Sequence, residues 1–163
     1  MNELKSWQGR FGPPRTTKAV YFDWFGVPHG FGVSVMDLCA RSVGAIADDM
    51  VGGYDQDFTG LGLKTLNFRI AWPGYAEEWI RPIQVHTDYG ILYRADLAAH
   101  IASQFSRYCE KAEYENIHPS EAQWRISISG KGIQFRHIHL VSVVNLYGDV
   151  WQADITVAPP HQR

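Results

Sequence analysis

The sequence His137-Ile-His-Leu-Val-Ser-Val-Val-Asn-Leu146, followed by Tyr147-Gly-Asp149 and Val150-Trp-Gln-Ala-Asp-Ile-Thr-Val157, predicts a long β-hairpin. Both runs are rich in valine and isoleucine, which favour strands, and the glycine and aspartate between them favour a turn. This hairpin closes the predicted sheet, and the remaining strands lie upstream of it.

Four shorter strands are predicted before the hairpin, over residues 19–25, 65–71, 79–86 and 124–129. In the second of these, Leu66, Phe68 and Ile70 alternate with polar residues, as in a strand with one buried face. Pro82 in the third strand lacks a backbone N–H group and therefore favours an edge of the sheet.

Two helices are predicted between these strands. Ser34 and Asp37 have the spacing of an N-cap and its acidic partner, so the first helix begins there. Its apolar residues recur every three or four positions until a glycine pair ends the helix, and they are Val35, Leu38, Cys39, Val43, Ile46 and Met50. The second helix covers residues 94–113 with the same periodicity.

The order of these elements predicts an α+β fold in which two helices pack on a largely antiparallel sheet. It is the βαββαβ order of a ferredoxin-like unit, extended by the C-terminal β-hairpin, although other topologies share it. Residues 1–18 are predicted to form a flexible arm, residues 19–158 a single domain, and residues 159–163 a tail.

Composition narrows the class of protein. A formal charge of −2 and a pI near 6.4 give no overall basic field, so contact with nucleic acid needs a local patch or a metal ion. No apolar run approaches a membrane span, and the first residues lack a signal peptide, which predicts a cytoplasmic protein without a membrane partner. Cys39 and Cys109 fall on apolar helix faces and are predicted to be buried, free thiols.

Four aspartates form the strongest polar cluster. Asp48, Asp49, Asp55 and Asp57 lie within ten residues, around the predicted end of the first helix. Carboxylates at a helix C-terminus meet the negative end of its dipole, and a divalent cation would relieve that repulsion. These four residues are the predicted ligands of Mg²⁺, Mn²⁺ or Zn²⁺, and a solvated acidic loop is the alternative. On one continuous helix, Asp49 would lie closer to the core than Asp48.

Four residues are candidates for catalysis, namely Asp23, His29, Arg69 and His86. His29 follows the first strand in a loop rich in glycine and proline, and His86 ends the third strand beside an aspartate that could orient it. Arg69 alternates with core residues, so it projects from the opposite face of the sheet. With Asp23 and Arg81 it would form a charged patch suited to phosphate, and an ordinary surface ion pair is the alternative.

The remaining polar signals are less specific. His137 and His139 are two residues apart on a predicted strand, so they share a face, either as metal ligands or as polar surface residues. The chain has no Gly-x-Ser-x-Gly sequence, Walker loop or dinucleotide fingerprint. It therefore lacks the sequence signatures of esterases, P-loop NTPases and Rossmann-fold enzymes.

Four segments carry a family resemblance: Tyr21-Phe-Asp-Trp24, Leu38-Cys-Ala-Arg-Ser-Val-Gly-Ala-Ile-Ala-Asp-Asp-Met50, Asn67-Phe-Arg-Ile-Ala-Trp-Pro-Gly-Tyr75 and Val150-Trp-Gln-Ala-Asp154. Across about residues 19–157 the chain resembles small basidiomycete mushroom proteins, the ribotoxin-like ribonucleases of the ageritin type. The resemblance implies a divalent-cation-dependent endoribonuclease that cleaves the sarcin–ricin loop of ribosomal RNA and inhibits translation, with the ribosome as partner. The acidic pI departs from the basic character of a ribotoxin.

RNA cleavage assigns a role to each type of candidate residue. A base removes the proton of a 2′-hydroxyl group, and either His29 or His86 would move protons. Arg69 would stabilise the phosphate charge, and the aspartate cluster would hold the ion. Tyr21 and Tyr54 would stack on the bases of a single-stranded loop.

Two other functions stay open at this point. Trp72, Tyr75 and Trp79 could form an aromatic surface for a sugar, which would make the chain a cytosolic, lectin-like carbohydrate-binding defence protein without enzymatic activity. A turn that packs on itself explains the same aromatic residues. A protein that acts only through protein contacts is the third possibility.

Overall fold

A sheet with helices packed against it forms the centre of the computed structural model, which describes residues 18–127 and 131–158. The strands are β1 (Ala19–Tyr21), β2 (Val33–Ser34), β3 (Thr65–Ile70), β4 (Trp79–Gln84), β5 (His86–Thr87), β6 (Gly90–Ile91), β7 (Ile138–Tyr147) and β8 (Val150–Val157). The helices are α1 (Val35–Ala40), α2 (Val43–Asp49) and α3 (Arg94–Ala112), and two 3₁₀ segments cover Pro119–Trp124 and Phe135–His137.

The predicted hairpin occupies the middle of the sheet. The strand order is β1-β7-β8-β3-β4, and β2 also pairs with β7, while β5 and β6 form a separate hairpin. Every pairing in the large sheet is antiparallel except that of β3 with β8. The mixed helix-and-sheet architecture agrees with the prediction. The ferredoxin-like order is not confirmed, because β7 takes the N-terminal strand as its neighbour.

The core lies between α3 and one face of the sheet. Leu66, Phe68 and Ile70 of β3 are buried as their alternation predicts, and the Phe68 ring lies 6.2 Å from that of Phe105 on α3. The intervening residues of β3 therefore face away from α3, on the second face of the sheet. In the described residues, no helix is long and apolar enough to cross a membrane.

The predicted first helix is wrong as a continuous element. Arg41 has an extended backbone, with φ −107° and ψ 154°, and Ser42 caps a second helix by accepting a hydrogen bond from the Ala45 N–H group. A serine N-cap favours this restart over a continuous helix. As a consequence, Cys39 is exposed, contrary to the prediction, whereas Cys109 is buried, and both are free thiols.

Other boundaries differ more modestly. The first strand stops at Tyr21, and β4 stops at Gln84 on the edge of the sheet, where Pro82 predicts it. The predicted strand over residues 124–129 is wrong in its described part, because Trp124 ends a 3₁₀ segment and Ile126 forms only an isolated bridge. The predicted arm up to residue 17, the tail over 159–163 and residues 128–130 lie outside the described residues.

Candidate functional site

A buried aspartate holds an exposed histidine just after β1. The Nδ1 atom of His29 lies 2.8 Å from Oδ2 of Asp23, and the Gly30 N–H group donates to Oδ1 at 2.9 Å. The side chains are 69% and 11% exposed for His29 and Asp23, respectively. An ionised carboxylate only accepts hydrogen bonds, so Nδ1 carries the hydrogen. The other ring nitrogen, Nε2, is then the basic atom and is available to a ligand.

The backbone of Asp23 is fixed from both sides. Phe22 donates its N–H group to the Val141 carbonyl of β7 at 3.0 Å, which extends the pairing of β1 by one residue. The Val51 N–H group donates to the Asp23 carbonyl at 2.9 Å. The segment that follows α2 therefore replaces β7 as the partner of the chain at Asp23.

The loop after Asp23 returns His29 to the aspartate and carries exposed aromatic residues. Gly30 has φ 92°, a conformation that favours glycine, and this turn points its N–H group at Asp23. The Tyr21 ring lies 4.9 Å from the imidazole of His29, and Phe25 and Phe31 on the same loop are exposed. The basic nitrogen therefore lies on a loop that offers several aromatic surfaces.

Arg94, the first residue of α3, lies beside this pair. Its Nη1 atom donates to the carbonyl of Val51 at 3.1 Å and to that of Tyr21 at 3.5 Å. Its Nε and Nη2 atoms donate to the two carboxylate oxygens of Asp57 at 2.9 and 2.8 Å. The hydrogen bond to Asp57 raises the pKa of Arg94, burial opposes this rise, and the charges of Asp57, Asp55 and Asp23 add to it.

The loop between α2 and β3 also caps α3. The N–H groups of Arg94 and Ala95 donate to the carbonyls of Asp55 and Gly53 at 2.8 and 3.0 Å. These are among the first N–H groups of the helix, which have no partner within it. The same loop therefore binds both the backbone and the side chain at the start of α3.

The four predicted metal ligands each contact a side chain of the protein. Asp48 accepts the Tyr54 hydroxyl at 2.6 Å, which raises the pKa of Tyr54, and Asp49 accepts Arg41 at 2.8 Å. Asp57 is bound by Arg94, and Asp55 lies 3.5 Å from the same guanidinium. Over residues 18–127 and 131–158, no three histidine, cysteine or acidic side chains form a group suited to a metal. The structure does not assemble the predicted ligand set, and the cation stays a prediction.

The predicted patch of Asp23, Arg69 and Arg81 is not formed. Arg69 faces the second side of the sheet, where it binds Glu78 at 2.9 Å and the side-chain oxygen of Gln152. Its strand is the third from β1, about 14 Å away at the usual strand spacing. Arg81 pairs with Phe68 in register, so it lies on the opposite face, stacked 3.9 Å from the Trp79 ring centroid.

The other predicted histidine sites also lie apart from His29. His86 is exposed in the small β5–β6 hairpin, and within the described chain its ring forms no hydrogen bond or ion pair, so the expected contact with Asp88 is absent. His137 is buried in a 3₁₀ segment while His139 lies on β7, so the predicted shared strand face is wrong.

The aromatic residues proposed as a sugar surface belong to the core. Trp72, Tyr75 and Trp79 are all buried, and they pack edge-on or tilted against the ring of Tyr108 on α3. The Trp72 indole donates to the Trp124 carbonyl at 2.6 Å. These three rings therefore pack in the core and do not form an accessible platform.

Sequence reasoning missed Arg94, which binds Asp57 of the predicted metal cluster and also the backbone beside Asp23. One signal could have identified it: a positive charge at the first position of a helix opposes the helix dipole and calls for a nearby carboxylate.

In comparisons with known proteins, no family model, no curated protein and no solved structure matches the chain.

Proposed function

We propose that the chain is a ribotoxin-like endoribonuclease and that His29 is its general base. The observation that carries this proposal is the Asp23–His29 pair, in which a buried carboxylate orients an exposed imidazole. The resemblance of the segments around Asp23 and α2 to ribotoxin-like ribonucleases directs the choice of substrate toward ribosomal RNA.

The proposed reaction uses the exposed nitrogen of His29. Nε2 takes the proton of an RNA 2′-hydroxyl group, and the 2′-oxygen attacks the adjacent phosphorus. The bond from phosphorus to the 5′-oxygen breaks, and the leaving oxygen takes a proton from water. The products are a 2′,3′-cyclic phosphate and a 5′-hydroxyl end. Asp23 stabilises the imidazolium that forms, and His29 then returns its proton to water.

Exposed aromatic rings support single-stranded RNA as the substrate. Tyr21, Phe25 and Phe31 surround the His29 loop, and the ring of Tyr54 lies 5.6 Å from that of Tyr93, which adjoins Arg94 in the chain. Unpaired bases stack on such rings, whereas bases within a duplex are not accessible to them.

The charge of this surface explains why a cation belongs to the proposal. Asp48, Asp49 and Asp55 are exposed, and carboxylates repel RNA phosphates. The divalent cation implied by the family resemblance would offset this charge. The proton transfer to His29 itself does not require it.

The experiment that tests the chemistry compares two versions of one single-stranded RNA, one natural and one with every 2′-hydroxyl methylated. We expect cleavage of the natural strand only, with cyclic phosphate ends. Cleavage of the methylated strand, or 5′-phosphate products, would contradict the proposed reaction, because neither arises from attack by a 2′-oxygen.

A further inference from the structure

We propose that Arg94 is a positioning residue for the Asp23–His29 pair, holding the backbone that carries Asp23 while making no contact with substrate. The catalytic meaning of this inference rests on the proposed function. The structural relationship itself can be measured on the free protein without RNA.

The N–H donors of the Arg94 guanidinium are already occupied by acceptors within the protein. A guanidinium has five N–H donors. Four of them form hydrogen bonds to Asp57, Val51 and Tyr21, and the Asp55 carboxylate lies 3.5 Å from Nη2. All three nitrogens are engaged, and the side chain is only 18% exposed. A phosphate would have to displace these acceptors, so Arg94 acts through the residues it holds.

The residues it holds are the neighbours of Asp23. Arg94 binds the carbonyl of Tyr21, two residues before Asp23, and that of Val51, whose own N–H group binds the Asp23 carbonyl. The guanidinium thus joins the two backbone segments between which Asp23 lies. Displacing it would loosen the aspartate that fixes His29.

Gly52 provides the space that Arg94 needs. Its φ is +68°, and a Cβ atom there would lie 2.7 Å from Nη1 of Arg94 and 2.8 Å from Oδ2 of Asp55. Gly60 has a similar φ of +82°, but a Cβ atom there would have no neighbour within 4 Å. Gly52→Ala and Gly60→Ala therefore impose the same kind of backbone strain, and only the first displaces Arg94.

The test is the tautomer of the neutral His29 ring, measured by ¹⁵N NMR as the fraction of rings that carry the hydrogen on Nδ1. Nδ1 lies 2.8 Å from the Asp23 carboxylate, and the Tyr21 ring lies 4.9 Å from the imidazole. Asp23→Asn removes the carboxylate that holds this tautomer, so it sets the full loss. Arg94→Lys keeps the positive charge but loses the planar fork, so a change in tautomer reports geometry.

We expect Arg94→Lys and Gly52→Ala each to lose at least half as much of the Nδ1–H tautomer as Asp23→Asn loses, and Gly60→Ala to lose none. Folded Arg94→Lys and Gly52→Ala proteins with the wild-type tautomer would overturn the proposal, as would equal losses in the two glycine variants. An Asp23→Asn protein with the wild-type tautomer would also overturn it, because no pair would then exist to be positioned. If Arg94→Lys does not fold, the glycine pair decides alone.

RNA cleavage measured on the same samples separates this inference from the proposed function. The expected changes of tautomer in a protein that cleaves no RNA would support the positioning role and reject the ribonuclease. RNA cleavage by a protein whose His29 tautomer does not respond to Arg94→Lys or Gly52→Ala would support the ribonuclease and reject the positioning role.

Discussion

Arg94 and Asp57, which are 37 residues apart in the chain, are joined by two hydrogen bonds of 2.9 and 2.8 Å between a guanidinium and a carboxylate. The two side chains are 18% and 17% exposed. A second arginine near the site, Arg41, pairs with Asp49 at 2.8 Å, but this aspartate is 63% exposed. Water screens an exposed pair, so the first pair should stabilise the fold more.

The two pairs give a matched prediction about stability. We expect Asp57→Asn to lower the free energy of unfolding by about 1–3 kcal/mol, because it leaves a half-buried guanidinium without its charged partner. Asp49→Asn should cost less than about 1 kcal/mol. Urea denaturation of the two variants measures the difference. Equal losses would show that burial does not distinguish these pairs.

The cysteines predict a selective labelling pattern. Cys39 is exposed in α1, although burial of part of its side chain raises the pKa of its thiol. Burial raises the pKa of Cys109 to about 12. A thiol reagent at neutral pH should therefore modify Cys39 slowly and Cys109 only after unfolding, because the thiolate is the reactive form. Mass spectrometry of the labelled peptides checks this, and native-state labelling of Cys109 would contradict the packing of α3.

Alkaline pH should destabilise the fold because α3 buries two groups that lose protons at high pH, Cys109 and Tyr108. An unperturbed thiol has a pKa of about 8.5. Burial raises the pKa of Cys109 to about 12 and also raises the pKa of the neighbouring Tyr108. Above about pH 9 the unfolded chain loses protons that the folded chain keeps, so stability falls as pH rises. The slope approaches about 1.4 kcal/mol per pH unit for each such group.

A variant of Cys109 isolates its part of this slope. Cys109→Ala should make the decline in unfolding free energy between about pH 9 and pH 11 shallower than in the wild type. Cys39→Ala, at the more exposed thiol, is the matched control and should change the decline less than Cys109→Ala does. A steeper or identical slope in Cys109→Ala would remove the thiol as a cause.

Arg69 is expected to be dispensable for catalysis, contrary to the expectation from sequence. It lies three strands from β1 and binds Glu78 and Gln152. Arg69→Lys should keep the wild-type rate of RNA cleavage and lower the thermal midpoint slightly. A large loss of rate in a folded protein would return Arg69 to the site.

The parts of the fold that depend on local periodicity could be predicted from sequence. The alternation in β3 and the apolar repeat of α3 each report one buried face, and both elements occur where predicted. The first helix could not be predicted correctly, because its apolar spacing continues through Arg41 while the competing Ser42 cap interrupts the backbone. Strand order depends on contacts between distant segments, which periodicity does not encode.

The candidate site was also predictable from sequence only where it depends on local segments. The local sequence was enough to place His29 in a loop after a strand and to select Asp23 as a candidate. The contact between these two side chains is a finding of the structure. The metal cluster assumed that nearby aspartates share one environment. Instead, Arg41 pairs with Asp49, and Arg94, which is remote in sequence, pairs with both Asp55 and Asp57.

The most direct measurement is digestion of intact ribosomes by wild type, His29→Gln and His100→Gln, each with and without EDTA, followed by sizing of the RNA. His100 is an exposed histidine on α3 and serves as the matched control. We expect one discrete fragment from wild type and His100→Gln, lost on chelation, and a reduction of roughly 10²-fold or more for His29→Gln. The same fragment at the wild-type rate from folded His29→Gln, or no fragment from wild type with Mg²⁺ present, would contradict the account.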